Sequence, residues 1–282
     1  MNDPETLPET LQMISRSTPE AAHERLREIV KKMGSVLVAY SGGVDSALVM
    51  KVAREVLGAD AVAATSLSPT FPPSQLEEAK QVAASIGIRH LFVHSDELRI
   101  PGYAENNRDR CYLCKNDLYT QLTDLARAER LQFVVDGTNL DDLSDIRPGL
   151  KAARELGVRS PLVEAGLDKR QVRSLSRRLG LPTWDKPASA CLSSRFPYGT
   201  EITYERLDQV GKAEEILCRL GFKQFRVRYH GETARIEMAT EEFSLLLDPL
   251  LRSRMIEEIQ KLGFRWVTLD LSGYRQGSLN LL

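Results

Sequence analysis

The sequence predicts an α/β protein in which a Rossmann-like, mostly parallel sheet is followed by a smaller α/β domain. The first observation is a set of short, continuous apolar runs, of which residues 36–40 (Val-Leu-Val-Ala-Tyr) form the clearest. Such runs are typical of strands that are buried on both faces of a parallel sheet. The second observation is that helical patterns of about 10–15 residues separate these runs, which indicates right-handed βαβ units.

Each expected element follows from its own apolar pattern. A helix that ends near Gly34 precedes the first strand, and the helix after that strand has apolar residues at the spacing of one helical face. After Pro197 the rhythm changes to helix, two strands, helix and strand, so we expect a first domain over residues 1–196 and a second over 197–282. The expected strands are 36–40, 61–67, 91–93, 133–135, 225–229, 234–238 and 266–271, and the expected helices include 19–34, 47–57, 204–220 and 241–262.

Composition and charge narrow the class of protein. The 282 residues are 42% hydrophobic and 27% charged, which is the balance of a globular protein with a core. Lys and Arg number 38 and Asp and Glu 39, and this near-neutral charge argues against a wholly basic nucleic-acid binder. No apolar run approaches the ~20 residues that span a bilayer, and the polar N-terminus lacks the layout of a signal peptide. We therefore expect a cytoplasmic protein with no membrane partner.

The most informative segment joins the first strand to its helix and reads Ser-Gly-Gly-Val-Asp-Ser over residues 41–46. Adjacent glycines allow a tight turn and a close approach to a ligand, and the N–H groups at the helix start favour an anion. The segment lacks the Gly-Lys-Ser/Thr ending of a Walker loop and the third glycine of a dinucleotide fingerprint. An ordinary strand-to-helix turn is the alternative interpretation. The residues we expect to bind phosphate are Ser41, Gly42, Gly43, Asp45 and Ser46.

This segment resembles the pyrophosphate loop of the ATP pyrophosphatase (PP-loop) superfamily. The resemblance implies that ATP is cleaved to AMP and pyrophosphate while a carboxyl or carbonyl oxygen of the substrate is adenylylated. Residues 137–142 (Gly-Thr-Asn-Leu-Asp-Asp) resemble a second superfamily element, and they follow the fourth expected strand. Open α/β sheets bind ligands at this edge. We expect Asp141 or Asp142 to hold Mg²⁺ that bridges phosphate oxygens.

The chain has four cysteines, which are too few for a disulfide scaffold in a protein of this size. Cys111 and Cys114 open a helical stretch, where a helix N-terminus and basic neighbours favour the thiolate. Cys191 lies in a segment rich in small and polar residues, which is typical of an active-site loop. Cys218 falls near the apolar stripe of a helix, and we expect it to be buried.

The whole pattern resembles one PP-loop family, the ATP-dependent sulfur transferases of the LarE type. The resemblance covers nearly the whole chain and rests on residues 41–46, 187–195, 225–228 and 273–280, of which 187–195 is the most specific. It implies sulfur insertion into a pyridinium dicarboxylate mononucleotide on the way to the nickel-pincer cofactor of lactate racemase. In single-cysteine members, the residue equivalent to Cys191 gives up its own sulfur and becomes dehydroalanine.

The chain departs from that pattern because it also carries Cys111 and Cys114. Three cysteines resemble the variant members, and also certain tRNA thiolases, in which three thiolates hold a 4Fe–4S cluster with one open iron. We favour this cluster, with Cys111, Cys114 and Cys191 as its ligands, over sacrifice of Cys191, because it accounts for all three positions together. Three unrelated thiols are the remaining alternative.

A substrate that carries carboxylates and a phosphate needs bidentate cations. Arg226 and Arg228 alternate along an expected strand and so share a face, and they resemble the family's phosphate-binding pair. We expect Arg195 and Arg275 to assist them. A basic helical run over residues 169–178 could face phosphate or RNA, but such a run is more often a solvated face or a subunit contact.

Sulfur transfer to a small pyridinium mononucleotide is the leading functional hypothesis. The second is tRNA thiolation by the same ATP chemistry; the near-neutral charge argues against it, and tRNA stays open as a partner. An amidotransferase-type synthetase that uses ammonia would leave the cysteines idle, and a nucleotide sensor would bind ATP without releasing pyrophosphate. The resemblance also implies a homo-oligomer, and other proteins of the same cofactor pathway are further expected partners.

Overall fold

The computed structural model describes residues 18–144, 148–187 and 190–275. These residues form two compact units. The first unit contains residues 18–67, 73–95 and 111–187, and the second contains 68–72, 96–110 and 190–275. The expected division of the chain at residue 196 stays a prediction.

The first unit is built on a four-stranded, fully parallel sheet with the order β3-β2-β1-β4, which confirms the predicted α/β class. The chain adds β2 and β3 on one side of β1 and then places β4 on the other side. The strand order therefore reverses between β1 and β4, and such switch points are where open α/β sheets bind ligands. The strands are β1 (Val36–Ala39), β2 (Ala61–Leu67), β3 (Arg89–His94) and β4 (Phe133–Val135).

Helices cover both faces of this sheet because alternate side chains of the strands point to opposite faces. Val36 and Val38 belong to one apolar core, and Leu37 between them belongs to the other. In the described residues, no helix is long and apolar enough to cross a membrane. The helices are α1 (Pro19–Met33), α2 (Val44–Leu57), α3 (Pro73–Ile86), α4 (Arg110–Ala128), α5 (Pro148–Glu155), α6 (Pro161–Glu164) and α7 (Lys169–Arg178), with 3₁₀ turns at Gly58–Asp60, Glu97–Arg99 and Leu140–Ser144.

The second unit carries a three-stranded sheet with the order β5-β6-β7, in which β5 is antiparallel and β7 parallel to β6. The single helix expected over 241–262 is wrong, since a 3₁₀ segment precedes a helix that begins at Pro249. Asp248 caps that helix by accepting a hydrogen bond from Leu250 N at 2.9 Å, and proline is favoured at the first helical position. The elements are a 3₁₀ turn (Leu192–Arg195), α8 (Tyr204–Arg219), β5 (Phe225–His230), β6 (Thr233–Met238), the 3₁₀ segment (Thr240–Leu247), α9 (Pro249–Gln260) and β7 (Trp266–Leu269).

Candidate active site

The expected phosphate loop closes on itself between β1 and α2. Gly42 has φ of 75°, a left-handed conformation that favours glycine, and Gly43 is the N-cap of α2. Ser41 N donates to Ser46 Oγ at 3.2 Å, and the two serine hydroxyls lie 3.1 Å apart. The loop therefore presents hydroxyl groups and the N-terminus of a 14-residue helix at the same place, an arrangement suited to an anion.

Gly137 lets the segment after β4 touch this loop. A Cβ atom at residue 137 would lie 2.5 Å from Ser46 N and 2.9 Å from Ser46 Cα, closer than any side chain can approach backbone atoms. Position 137 thus requires glycine because the phosphate loop lies against it, and not because of an unusual backbone angle. The structure brings together the two segments, 41–46 and 137–142, that the sequence singled out separately.

Lys169, in the basic run where a phosphate site was the less favoured interpretation, lies against the phosphate loop. Its ammonium forms an ion pair with Asp45 Oδ2, and Asn139 Nδ2 donates to Asp45 Oδ1 at 3.2 Å. The backbone N–H of Lys169 donates to Asp141 Oδ2 at 3.0 Å. Asp45 is thus held by groups from two other segments. The Lys169 ammonium lies at the start of α2, the helix that follows the phosphate loop.

Buried Asp136 holds the second segment in shape. Its Oδ1 accepts hydrogen bonds from Thr138 N at 3.1 Å and Ser160 Oγ at 2.8 Å. Its Oδ2 accepts from Thr138 Oγ1 at 2.8 Å and Tyr119 OH at 3.1 Å. Burial, opposed by nearby Lys115 and reinforced by Asp136, raises the pKa of Tyr119 to about 12, so the phenol stays a donor at neutral pH.

Two other basic side chains of helix α7 contact residues of the first unit. Arg173 donates to the carbonyl oxygens of Trp184 at 2.9 Å and Lys186 at 2.7 Å, and the Arg177 guanidinium lies 4.8 Å from the Trp184 ring centre. These contacts bind α7 to the segment that follows it, and a subunit contact of this helix stays a prediction.

Cys111 and Cys114 lie three residues apart near the start of α4, a spacing that puts both side chains on one face. Cys111 is exposed and Cys114 half-buried. Both belong to the first unit, whereas Cys191 belongs to the second. Across the part of the chain that the structure describes, no three His, Cys, Asp or Glu side chains are grouped as a metal site. The assembly of a three-cysteine cluster site stays a prediction.

Cys191 is exposed at the start of the 3₁₀ turn 192–195. Arg195, only 1% exposed, donates to the carbonyl oxygens of Ala190 at 2.9 Å and Cys191 at 3.1 Å. Its other nitrogens form a bidentate pair with Glu214, both at 2.8 Å. Glu214 Oε1 also accepts from Val227 N at 3.0 Å. Arg195 therefore fixes the Cys191 turn onto α8 and β5, and its expected contact with substrate stays a prediction.

Arg226 and Arg228 differ in what surrounds them. Buried Arg228 pairs with Glu237 at 2.7 Å and donates to Ser194 O at 2.6 Å, so it too supports the Cys191 turn. Half-buried Arg226 stacks on the Tyr274 ring, with 5.2 Å between guanidinium and ring centre. Burial and then the charge of Arg195 lower the pKa of Arg226. A bound anion would offset both effects, which makes Arg226 the better candidate for a substrate phosphate or carboxylate.

The C-terminal motif is described only in part. Gly273 has φ of 70°, and the next residue is tied to β6 by a 2.8 Å hydrogen bond from Tyr274 N to Met238 O. Arg275 follows and is exposed. Residues 276–280 of the motif lie outside the described residues, as do positions 188 and 189 of the segment that contains Cys191.

Sequence reasoning missed Glu214 and ranked a phosphate role for Lys169 low, because their partners lie 19 and 124 residues away and share no local pattern. It was also wrong about Cys218, which is exposed. Leu217 is the position on α8 that faces the core, and the next residue along a helix points about 100° away. The apolar spacing of α8 was the signal that could have corrected this expectation.

Some known proteins resemble only part of this chain, and others resemble nearly all of it. A family model described as NAD synthase matches residues 19–105, the part that contains the phosphate loop. The NH(3)-dependent NAD(+) synthetase of Pyrococcus horikoshii is 30% identical over 56% of this chain and 63% of that protein. An uncharacterized protein of Synechocystis is 49% identical over 93% of this chain and 97% of its own length.

A further relative decides between the synthetase and transferase interpretations. The pyridinium-3,5-bisthiocarboxylic acid mononucleotide synthase of Lactiplantibacillus plantarum is 41% identical over 89% of this chain and 91% of that protein. This likeness covers far more of the chain than the residues 19–105 that match the model described as NAD synthase. The chain therefore belongs to the LarE-type family of ATP-dependent sulfur transferases, within the PP-loop ATP pyrophosphatases.

Proposed function

We propose that the protein adenylylates a carboxylate of a pyridinium dicarboxylate mononucleotide and converts it to a thiocarboxylate, as a step toward a nickel-pincer cofactor. The observation that carries this proposal is the closed 41–46 loop in contact with Gly137, in a chain that matches a pyridinium-3,5-bisthiocarboxylic acid mononucleotide synthase over 91% of that protein. The loop supports ATP cleavage, and the relative's name indicates the acceptor.

In the first step, a substrate carboxylate oxygen attacks the α-phosphorus of ATP and pyrophosphate leaves. The loop N–H groups and the hydroxyls of Ser41 and Ser46 stabilise the departing charge. Lys169, now paired with Asp45, is placed to turn toward a phosphate oxygen. Asp141 or Asp142 would supply a carboxylate oxygen of the kind that Mg²⁺ prefers, and the ion would neutralise phosphate charge when bound.

In the second step, sulfur attacks the acyl carbon and the bond to AMP breaks. With Cys191 as donor, the thiol proton goes to solvent and a thioester joins the protein to the substrate. Removal of the Cys191 α-proton by a base then forms a Cα–Cβ double bond as the Cβ–Sγ bond breaks. The products are a thiocarboxylate and dehydroalanine at residue 191, so each chain reacts once by this route.

The alternative sulfur source within this proposal is a 4Fe–4S cluster ligated by Cys111, Cys114 and Cys191, which would supply a sulfide and leave the protein intact. Within the described residues, the structure groups only Cys111 and Cys114 on one helix face. We therefore derive no step through a cluster. Iron content decides between the two sources.

The direct test incubates the purified protein with Mg-ATP and the pyridinium dicarboxylate mononucleotide. We expect AMP, pyrophosphate and a product in which one carboxylate oxygen is replaced by sulfur, detected by mass spectrometry. Two parallel reactions replace that acceptor with tRNA or add ammonia as the nucleophile. Sulfur in tRNA, or an amide product, without any thiocarboxylate would overturn the proposal.

Removing the cation at residue 169 tests its role in the ATP step. We expect Lys169→Met to slow pyrophosphate release by about 100-fold, the usual effect of deleting one group that stabilises charge in a transition state. Arg170→Gln is the matched control, since Arg170 is the exposed neighbour on the same helix. Equal rates for Lys169→Met and the control would show that Lys169 only pairs with Asp45.

The ring beneath Arg226 gives a second test. We expect Tyr274→Ala to raise KM for the mononucleotide about tenfold, or ~1.4 kcal/mol, because a cation–π contact of this kind orients the guanidinium. Tyr274→Phe keeps the ring and should retain the wild-type KM. The KM for ATP should not change in either variant. An alanine variant that binds the mononucleotide normally would remove Tyr274 from the binding site.

A further inference from the structure

The turn that carries Cys191 is also held by the segments 68–72 and 96–110. The backbone N–H of Leu192 donates to Thr70 O at 3.0 Å, and the hydroxyls of Tyr103 and Ser193 lie 2.7 Å apart. Arg110 Nη1 donates to Ser193 O at 2.8 Å. All of these residues belong to the second unit, and each of these contacts falls on the two residues that follow Cys191.

Asn106 also contacts the end of this turn and links it to Arg110. Its side chain is fully buried, and its Nδ2 donates to Pro197 O at 2.7 Å and Phe196 O at 3.3 Å. Its Oδ1 accepts from Arg110 Nη1, which fixes which way the amide points. Asn106 has φ of 57°, a conformation that asparagine tolerates better than most residues. A glycine would fit the same backbone but would lose all of these bonds.

We propose that Tyr103, Asn106 and Arg110, here called the loop support, position Cys191 for attack on the acyl adenylate, with Arg110 as the principal positioning residue. Arg110 is 5% exposed and binds Asn106 and Ser193 with one planar group. The thiol at residue 191 is exposed, and the loop support fixes the backbone of the turn that carries it. A displacement of about 1 Å at a reacting atom costs roughly 100-fold in rate. The loop support therefore acts on the second step and not on the ATP step.

None of the residues of the loop support lies in the 41–46 or 137–142 segments. The inference deepens the proposed function and rests on it for the assay of sulfur transfer. Its signature is uncoupling: pyrophosphate is released but the thiocarboxylate is not formed at the same rate. A variant that is merely less stable loses both activities in proportion.

The experiment compares the ratio of pyrophosphate released to thiocarboxylate formed in the full chain. Arg110→Lys keeps the positive charge but loses the planar fork, and we expect the ratio to rise about tenfold with an unchanged KM for ATP. Tyr103→Phe removes one hydroxyl and should raise the ratio by a smaller factor. Arg99→Gln is the control, since this arginine in the same segment is 84% exposed. Its ratio should equal that of the wild type.

A second readout keeps the inference independent of the proposed function. The rate of Cys191 alkylation by iodoacetamide, resolved by peptide mass spectrometry, should change in Arg110→Lys and Tyr103→Phe but not in Arg99→Gln. If the wild type forms no thiocarboxylate, the proposed function fails, and this rate still decides whether the loop support fixes the position of Cys191. If Arg110→Lys does not fold, Tyr103→Phe decides it. Wild-type coupling and wild-type alkylation in the folded variants would overturn it.

Discussion

Gly137→Ala is expected to abolish ATP cleavage while leaving the rest of the fold in place. The added Cβ would lie 2.5 Å from Ser46 N, and backbone at the start of a helix cannot yield as a flexible side chain can. Either the 137–142 segment or the phosphate loop must shift. We expect a loss of about 100-fold or more in pyrophosphate release, since a shift near 1 Å has this effect on positioned groups. The free energy of unfolding should fall by ~1–3 kcal/mol, as for other overpacked sites.

A matched glycine separates this effect from ordinary backbone strain. Gly87 has φ of 71°, and nothing lies within 4 Å of a Cβ built there. Gly87→Ala should therefore lower stability through its backbone conformation and leave pyrophosphate release per folded chain unchanged. Urea unfolding and pyrophosphate release are measured on both variants. Full activity in Gly137→Ala would mean that the two segments need not touch for ATP cleavage, and the site would have to be placed elsewhere.

The parts of the fold that could be predicted are those determined by interactions between residues close together in the sequence. The apolar run before Gly42 and the glycine pair after it predicted β1, the turn and α2, because burial on both faces and a left-handed turn each leave a mark on adjacent residues. Asp248 and Pro249 form a similar local pattern, a capping residue followed by proline. This pattern predicts that a helix begins at residue 249, which breaks the helix expected over 241–262.

The supports of the site could not be predicted in the same way. Lys169 meets Asp45, and Glu214 meets Arg195, only after strands and helices have assembled, and neither pair has a spacing that a helix or strand would impose. Arg195 and Arg228 show the consequence. The sequence marks both as cations for a substrate anion, and the structure adds contacts of both with the Cys191 turn and with the carboxylates of Glu214 and Glu237. The sequence shows which side chains are charged, but the tertiary fold determines which group each charged side chain contacts.

Cys191→Ala is expected to stop thiocarboxylate formation altogether while pyrophosphate release continues. Both sulfur sources require this residue, either as the donor or as a ligand, so the variant separates the ATP step from the sulfur step. Cys218→Ala is the control, because Cys218 is exposed on α8 and has no place in either route. Its product yield should match the wild type. Thiocarboxylate formed by Cys191→Ala would remove this cysteine from the sulfur step.

Iron and acid-labile sulfide, measured per chain in protein purified without oxygen, then identify the source. Near-stoichiometric cluster that disappears in Cys111→Ala would make Cys111 a cluster ligand, and the protein would turn over many times with external sulfide. No iron after reconstitution, together with dehydroalanine at residue 191 after one turnover, would make Cys191 a donor used once. In that case product could never exceed one thiocarboxylate per chain. The pair on α4 would then have no part as cluster ligands, and Cys111→Ala should transfer sulfur as well as the wild type.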